Sequence, residues 1–310
     1  MVKPFVYYGT SEFARIILSG LLKAGLRPIL VVTVPPKSQG RGLKIIKSPV
    51  AETASLNNLD LLEVASLKDS VVLEKLKHFK TEFALLAAFG QIVPKVVLDL
   101  YDKGIVNVHP SLLPLYRGAS PIASVLKDGQ SKTGLSLMLL DNLMDHGPLL
   151  KQIDYNINKD QTADNLAADL ADLAVKILPE TLSDYLSGQL KPLEQDHSRA
   201  TYTGLISRVD GRANFNLSAN QLNNQRRAFE PWPGLWTDWQ GRTVKLLKTG
   251  ICHLSQTKPG LVRWVEGQGL VIECRLDGLV IKSLQLAGKK PLSAEDFIRG
   301  QKSFLGTVLL

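Results

Sequence analysis

Apolar and polar positions alternate along the first half of the chain in a way that predicts strands and helices in turn. Short runs rich in β-branched and aromatic residues are typical of buried strands, and they cover 3–8, 27–33, 82–88, 105–108, 132–140 and 149–157. Helical patterns lie between them: Ser11 can cap a helix from Glu12 that Gly25 closes, and Ser48-Pro49 can begin another. Two further helices are predicted over 121–127 and 163–187. This alternation predicts a mostly parallel α/β sheet.

The pattern changes after Gly188. Residues 188–204 are polar and charged, which indicates a linker, and short apolar runs broken by glycines follow over 243–247, 260–265, 269–273 and 279–286. Such runs predict a small β-barrel. We therefore expect an α/β domain over 1–188, a linker over 189–204 and a β domain over 205–310. Within the first domain, residues 34–48 are rich in Pro, Gly and Ser and predict a loop without regular structure.

The segment Gly104–Gly118 carries candidate chemistry at the end of a predicted strand. Pro110 stops that strand, so Asn107 and His109, two residues apart, should leave its end on the same side. An amide that can donate to an oxyanion and an imidazole that can move a proton would then share one space. The same pair is equally compatible with a structural histidine near a strand end.

A second segment, 139–150, places Asp141 and Asp145 inside an otherwise apolar run. A turn between two strands accounts for Asp141 and Gly147, but it does not account for Asp145. A carboxylate is the partner that His109 needs to fix its tautomer and to stabilise its charged form. These two segments therefore predict one site made of Asn107, His109 and Asp145.

Composition narrows the class of protein. The 310 residues are 45% hydrophobic and 21% charged, as in ordinary globular proteins, and no apolar run approaches the roughly 18 residues of a membrane span. The N-terminus has no signal-peptide pattern, and the two cysteines, Cys252 and Cys274, do not have the spacing of metal ligands. A cytoplasmic protein without a metal or a membrane partner is expected. Residues 9–14, GTSEFA, lack the glycine pattern of a dinucleotide site, so NAD binding is not expected.

The charge of the chain is unevenly distributed. The net charge is +8, and residues 201–310 carry fifteen Lys or Arg against eight Asp or Glu, a net +7. A basic second half beside a nearly neutral first half indicates an anionic partner, with nucleic acid the leading candidate. A solvated basic face is the alternative.

The strings NVHPSLLP, over 107–114, and MDHG, over 144–147, resemble the folate-dependent formyltransferases. The resemblance implies a Rossmann-like sheet domain, an OB-like barrel domain and a catalytic trio of Asn107, His109 and Asp145. It implies 10-formyltetrahydrofolate as co-substrate and no metal. The folate-binding residues that it implies are Ser111, Leu112, Leu113, Pro114, Gly90, Gln91, Ile92 and Val93. His146 stands where Thr is common in the family, and it would add a titrating group near the site.

Two further strings are similar to those family members that act on methionyl-tRNA: Gly40-Arg41-Gly42 and RAFEPWP, over 227–233. The resemblance implies that the partner is an initiator methionyl-tRNA and that Arg41 and Lys44 contact this tRNA. A monomer is expected, but no sequence feature determines the oligomeric state. Two alternatives remain open. One is a formyltransferase for a small amine, such as glycinamide ribonucleotide or a nucleotide-linked amino sugar. The other is a non-catalytic nucleic-acid-binding protein.

Overall fold

The computed structural model describes residues 3–39 and 44–310. The chain forms two compact units. The first contains Met1–Pro121, Lys132–Asn156 and Ala167–Thr203, and the second contains Ile122–Ser131, Ile157–Leu166 and Gly204–Leu310. The domain boundaries expected from the sequence stay a prediction. Within the described residues, no helix combines the length and the apolar character that crossing a bilayer requires.

Strands and helices follow one another along the chain. The strands are β1 Phe5–Gly9, β2 Leu30–Thr33, β3 Lys37–Gln39, β4 Lys44–Ile46, β5 Leu61–Glu63, β6 Phe83–Ala87, β7 Ile105–His109, β8 Arg117–Gly118, β9 Lys132–Leu139, β10 Leu149–Asn156, β11 Tyr202–Thr203, β12 Leu235–Trp239, β13 Arg242–Cys252, β14 Val262–Val265, β15 Gly269–Glu273, β16 Gly278–Leu286 and β17 Leu292–Ser293. The helices are α1 Glu12–Lys23, α2 Pro49–Leu56, α3 Ser70–His78, α4 Lys95–Leu98, α5 Pro121–Lys127, α6 Ala163–Leu186, α7 Ala219–Phe229 and α8 Ala294–Gly300.

In its described part, the first unit is built on a seven-stranded sheet with the order β10-β9-β7-β6-β1-β2-β5. Strands β7, β6, β1, β2 and β5 are parallel, whereas β9 runs antiparallel to both β7 and β10. The residues of β1, β6 and β7 are all buried. Strands β1 and β6 carry no charged or amide side chain, as expected for the centre of a parallel sheet, whereas β7 also buries Asn107 and His109. The mostly parallel α/β sheet is confirmed. The carboxyl ends of β6 and β7 therefore lie side by side.

The helix starts predicted in the first unit are confirmed by their caps. The Ser11 side chain accepts a hydrogen bond from Ala14 N, and the Ser48 side chain accepts one from Ala51 N. Pro49 occupies the first turn of α2, where its missing N–H costs nothing. Gly25 follows α1 with φ +78°, a conformation that glycine adopts without strain.

The prediction that residues 34–48 lack regular structure is wrong for two described parts of this segment, β3 and β4. Strands β3 and β4 pair antiparallel, with Lys37 opposite Ile46 and Gln39 opposite Lys44. The pairing satisfies backbone groups that an irregular loop would leave to water, and the β-branched Ile45 and Ile46 suit an extended chain. Residues 40–43 lie outside the described residues.

The predicted linker belongs largely to the first unit, since residues 189–203 are grouped with it. Leu193 exchanges backbone hydrogen bonds of 2.7 and 2.8 Å with Leu149. Further along, β11 pairs in parallel with β8. This stretch therefore packs on the first unit through regular backbone pairing.

In its described part, the second unit is built on an antiparallel sheet with the order β12-β13-β16-β15-β14, and β17 pairs with β16. Its core includes Trp239, Phe297 and Phe304, whose rings meet at centroid distances of 5.1–6.3 Å. The second, smaller β domain, which the sequence predicted as an OB-like barrel, is confirmed as an antiparallel β domain. Helix α7, which was not predicted from the sequence, precedes the sheet.

Candidate active site

The carboxyl end of β7 carries two of the three predicted site residues. Asn107 and His109 alternate with apolar residues along the strand, so their side chains lie on the same face of the sheet. Asn107 pairs with Leu86 of β6 and Met138 of β9, and His109 pairs with Ser136 of β9. Both side chains are buried, at 6% and 4% exposure. Buried polar groups need hydrogen-bond partners, and these partners define the site.

Asp145 supplies the carboxylate that these side chains face. It lies in the turn between β9 and β10 with φ +47°, a left-handed conformation that is uncommon outside glycine. Its Oδ1 lies 3.3 Å from Asn107 Nδ2 and 3.5 Å from His109 Nδ1. Its Oδ2 accepts a 2.7 Å hydrogen bond from the backbone N–H of Gly118. The structure thus brings together the three residues of the predicted trio.

The second ring nitrogen of His109 contacts a backbone carbonyl. His109 Nε2 lies 3.0 Å from the carbonyl oxygen of Tyr116. A carbonyl can only accept, so Nε2 carries a hydrogen when this bond forms. The ring is therefore oriented from both sides, with Nε2 toward Tyr116 and Nδ1 toward Asp145.

The predicted folate-binding turn, 111–114, follows β7 and is held by hydrogen bonds to Ser136 of the neighbouring strand β9. The Ser136 hydroxyl donates to Ser111 O at 2.6 Å and accepts from Leu113 N at 3.1 Å. It also accepts from Gln152 Nε2 at 2.9 Å, and Gln152 donates in addition to Leu113 O at 2.8 Å. Ser136 and Ser111 are completely buried. A hydroxyl with one donated and two accepted bonds is fully satisfied, so the turn rests on a rigid support.

The other predicted folate-binding segment, Gly90–Val93, follows the carboxyl end of β6, the strand beside β7. Gly90 has φ +81°, and Ile92 is exposed at 86%. Gln91 Nε2 donates to Val64 O at 2.9 Å. The segment therefore lies at the carboxyl ends of the parallel strands, as the trio does. Its role stays a prediction.

Of the remaining predicted site residues, the structure describes Lys44 and His146 but not Arg41. Arg41 lies outside the described residues, and Lys44 is the first residue of β4. The His146 ring contacts Asp141, with Nδ1 2.7 Å from Oδ2, and stacks on His197 at a centroid distance of 3.9 Å. His146 therefore adjoins the trio in sequence while its side chain contacts other groups.

Several residues around the trio were missed by sequence reasoning. The backbone N–H of Gly118, the hydroxyl of Ser136 and the amides of Gln152 and Gln195 all hold site residues in place. Gly118 and Ser136 lie in predicted strand or turn regions, where no side-chain pattern distinguishes them. Gln195 lies in the predicted linker and reaches Asp145 across 50 residues of sequence.

Comparison with known proteins gives two family matches. The formyl transferase model matches residues 4–182, and the model of the formyl transferase C-terminal domain matches residues 205–302. Proteins called methionyl-tRNA formyltransferase from Chloroflexus aurantiacus and Pelobacter propionicus are 34% and 35% identical to this chain over 297 and 307 residues. These alignments cover 95% and 99% of this chain, and 96% of each relative.

A solved structure shares the fold. The N-formyltransferase from Helicobacter canadensis, in complex with folinic acid and dTDP-3-aminofucose, superposes with a TM-score of 0.66 at 18% identity. The superposition covers 91% of this chain and 99% of that one. At this identity the likeness concerns the fold alone. Residues 183–204, which include Gln195, lie between the two stretches that the family models match.

Proposed function

The chain belongs to the formyl transferase family, and from this premise we propose that it transfers a formyl group from 10-formyltetrahydrofolate to the α-amine of methionyl-tRNA. The product is N-formylmethionyl-tRNA, used to initiate translation. Relatives that align over nearly the whole of both chains carry the name methionyl-tRNA formyltransferase, which supports this acceptor. The observation that carries the proposal is the convergence of Asn107 and His109 on Asp145.

The reaction is an acyl transfer between two nitrogens. The amine nitrogen attacks the formyl carbon, and the carbonyl oxygen takes the displaced electron pair as a tetrahedral oxyanion. Collapse of this intermediate breaks the bond from the carbon to N10 of the folate. N10 leaves with the electron pair and gains a proton, while the attacking amine loses one. The site must therefore stabilise an oxyanion and move a proton.

Asn107 is proposed as the first oxyanion donor. Its amide has two hydrogens, and the contact of Nδ2 with Asp145 Oδ1 uses one of them. The second can donate to the oxygen of the tetrahedral intermediate. A preorganised donor of this kind contributes about 2.7–4 kcal/mol to transition-state stabilisation, which is 10²–10³ in rate.

His109 is proposed as the second donor. His109 Nε2 lies 3.0 Å from Tyr116 O, so donation to the substrate requires that the ring exchanges this acceptor for the oxyanion. Asp145, on the other side of the ring, stabilises the positive charge on the doubly protonated imidazole. Through a water molecule, the same carboxylate can accept the proton that the amine loses.

Folate is proposed to bind along the turn 111–114 and the segment Gly90–Val93. Both follow the carboxyl ends of neighbouring parallel strands, the edge where α/β sheets bind their ligands. Main-chain groups held rigidly, as Ser136 and Gln152 hold Leu113, can recognise a heterocycle without charged side chains.

The tRNA is proposed to contact Arg41, Lys44 and the basic second half of the chain. Flanking glycines would let the backbone at Arg41 approach the acceptor stem closely. The net +7 of residues 201–310 would supply phosphate contacts that do not depend on base sequence.

The test is an acceptor comparison. The purified protein is given formylated folate with methionyl-tRNA, free methionine or glycinamide ribonucleotide, and the formylated product is quantified. Of the three acceptors, we expect only methionyl-tRNA to be formylated, and we expect Asn107→Ala to lose this activity. Preferred formylation of glycinamide ribonucleotide would establish the small-amine alternative. Binding of tRNA without formyl transfer to any acceptor would establish the non-catalytic one.

A further inference from the structure

The turn that carries Asp145 is fastened by the side chain of Gln195. Gln195 is 5% exposed, and its Nε2 donates to Asp145 O at 3.0 Å and to Gly147 O at 2.7 Å. The two acceptors lie on either side of residue 146, so one amide group fixes the backbone before and after it. Because Asp145 has a left-handed backbone, its conformation depends on such external contacts.

The other end of the Gln195 amide is fixed as well. Its Oε1 accepts a 2.7 Å hydrogen bond from Nη2 of Arg117, a side chain that is 1% exposed. The next residue, Gly118, donates its N–H to Asp145 Oδ2 at 2.7 Å. A closed loop of contacts results: from the Asp145 carboxylate to Gly118, through Arg117 to Gln195, and back to the Asp145 carbonyl.

Arg117 is itself held by the segment that contains Gln195. Nη2 donates to His197 Nδ1 at 2.8 Å, and Nη1 donates to the Tyr202 hydroxyl at 3.3 Å. Its backbone N–H donates to Thr201 O at 2.9 Å, within the pairing of β8 and β11. Gln195 is thus presented to the Asp145 turn by a segment anchored at several points.

We propose that Gln195 is a positioning residue for the transfer reaction, and this inference rests on the proposed function. Its amide holds the backbone of Asp145 so that Oδ1 stays near Asn107 and His109 and Oδ2 stays on Gly118. The Gln195 side chain bonds to the backbone carbonyls of Asp145 and Gly147 and to Arg117, so it acts on the reaction through the position of the Asp145 carboxylate. Its loss therefore slows the chemical step and leaves substrate binding intact.

Two substitutions distinguish the contact of Oε1 with Arg117 from the contacts of Nε2 with the Asp145 turn. Gln195→Glu retains an oxygen for Arg117 but replaces the N–H donors with an oxygen that repels the two carbonyls. Gln195→Met removes both ends while keeping a similar shape. If Gln195 acts by positioning Asp145, both variants lose the same contacts to the turn and lose activity together. If it merely satisfies Arg117, Gln195→Glu retains activity.

The matched control is Gln225→Met. Gln225 is a similarly buried glutamine of the second unit, and its Nε2 donates to the backbone carbonyl of Asp210 at 2.6 Å. Kcat and KM for folate and methionyl-tRNA are measured for all variants, with folding checked by circular dichroism. We expect kcat to fall 10- to 100-fold in both Gln195 variants, with both KM values within twofold of wild type, and no such fall in the control.

The outcomes are distinguishable from failure of the proposed function. A wild-type protein that formylates no methionyl-tRNA refutes the function itself. An active wild type with Gln195→Glu within threefold of its kcat overturns the positioning role, as does a rise in KM without a fall in kcat. If either variant fails to fold, Gln195→Asn, whose shorter amide cannot span both carbonyls and Arg117, takes its place with the same two criteria.

Discussion

Replacing Asp145 by asparagine removes one negative charge from beside His109 while preserving the size of the side chain. In the native protein, Oδ1 lies 3.5 Å from His109 Nδ1, and the Asp145 side chain is 14% exposed. At that separation, with an effective dielectric constant of about 20, opposite unit charges attract by about 5 kcal/mol. The charged imidazole of the transition state loses this attraction in Asp145→Asn.

The realised attraction is smaller, because the Asp145 side chain is partly exposed and solvent screens it. Asparagine keeps an oxygen that can accept from Gly118 N–H, so the turn is preserved. We therefore expect the barrier to rise by ~3–4 kcal/mol, a fall of 10²–10³ in kcat. Single-turnover formylation of methionyl-tRNA with saturating folate measures the chemical step directly. Thermal unfolding of the same sample establishes that the fold survives.

The matched control is Asp141→Asn, the same change four residues earlier. Asp141 also faces a histidine, with Oδ2 2.7 Å from His146 Nδ1, but that pair is partly exposed and separate from the trio. Asp141→Asn should remain within threefold of wild type. The proposed role of Asp145 is refuted if folded Asp145→Asn transfers formyl within tenfold of wild type, or if the two variants lose activity equally.

Three further predictions concern folate, pH and tRNA. In Gly134→Ala, the new Cβ would lie 2.2 Å from a carbonyl oxygen of β10 and 2.4 Å from the Leu112 side chain. Folate affinity, measured by calorimetry, should therefore weaken, and the free energy of unfolding should fall by ~1–3 kcal/mol. Gly300→Ala, which adds a methyl group in open space, should change neither quantity. Burial raises the pKa of Cys274 to about 12, so the neutral thiol stabilises the fold below about pH 9 and that contribution is lost as pH rises toward 12. Urea unfolding at pH 8 and pH 10.5 should show a smaller decline in Cys274→Ala than in wild type, and equal declines would contradict the assignment. Arg41→Ala should lower kcat/KM for methionyl-tRNA at least tenfold with unchanged folate affinity, and a change within twofold would leave residues 40–42 without a role in tRNA binding.

Local patterns were sufficient where neighbours in sequence determine structure. The period of two along Ile105–His109 predicts that Asn107 and His109 share a face, and the structure agrees. Asp145 could be assigned because a turn accounts for Asp141 and Gly147 but leaves this second acid unexplained, while His109 needs a carboxylate partner. Its distance from His109 could not be predicted, since it depends on a left-handed backbone and on Gly118.

The missed elements depend on weaker or longer-range signals. Helix α7 is polar along most of its length, and its only strong signal is the capping box between Ser218 and Gln221. Gln195 contacts Arg117 and Asp145 across 78 and 50 residues. A glutamine in a polar stretch has no periodic partner, so only the tertiary structure could reveal its contacts.

Because β11 pairs with β8, the position of a protease cut should decide how firmly the Asp145 turn is held. A cleavage after Gly188 would leave Gln195 attached to the first unit only by non-covalent contacts. A cleavage after Thr203 would keep Gln195 and β11 covalently joined to the rest of the first unit, which contains β8. Two nicks fifteen residues apart, both in a stretch whose sequence resembles a simple connector, should therefore differ in how firmly Asp145 is held.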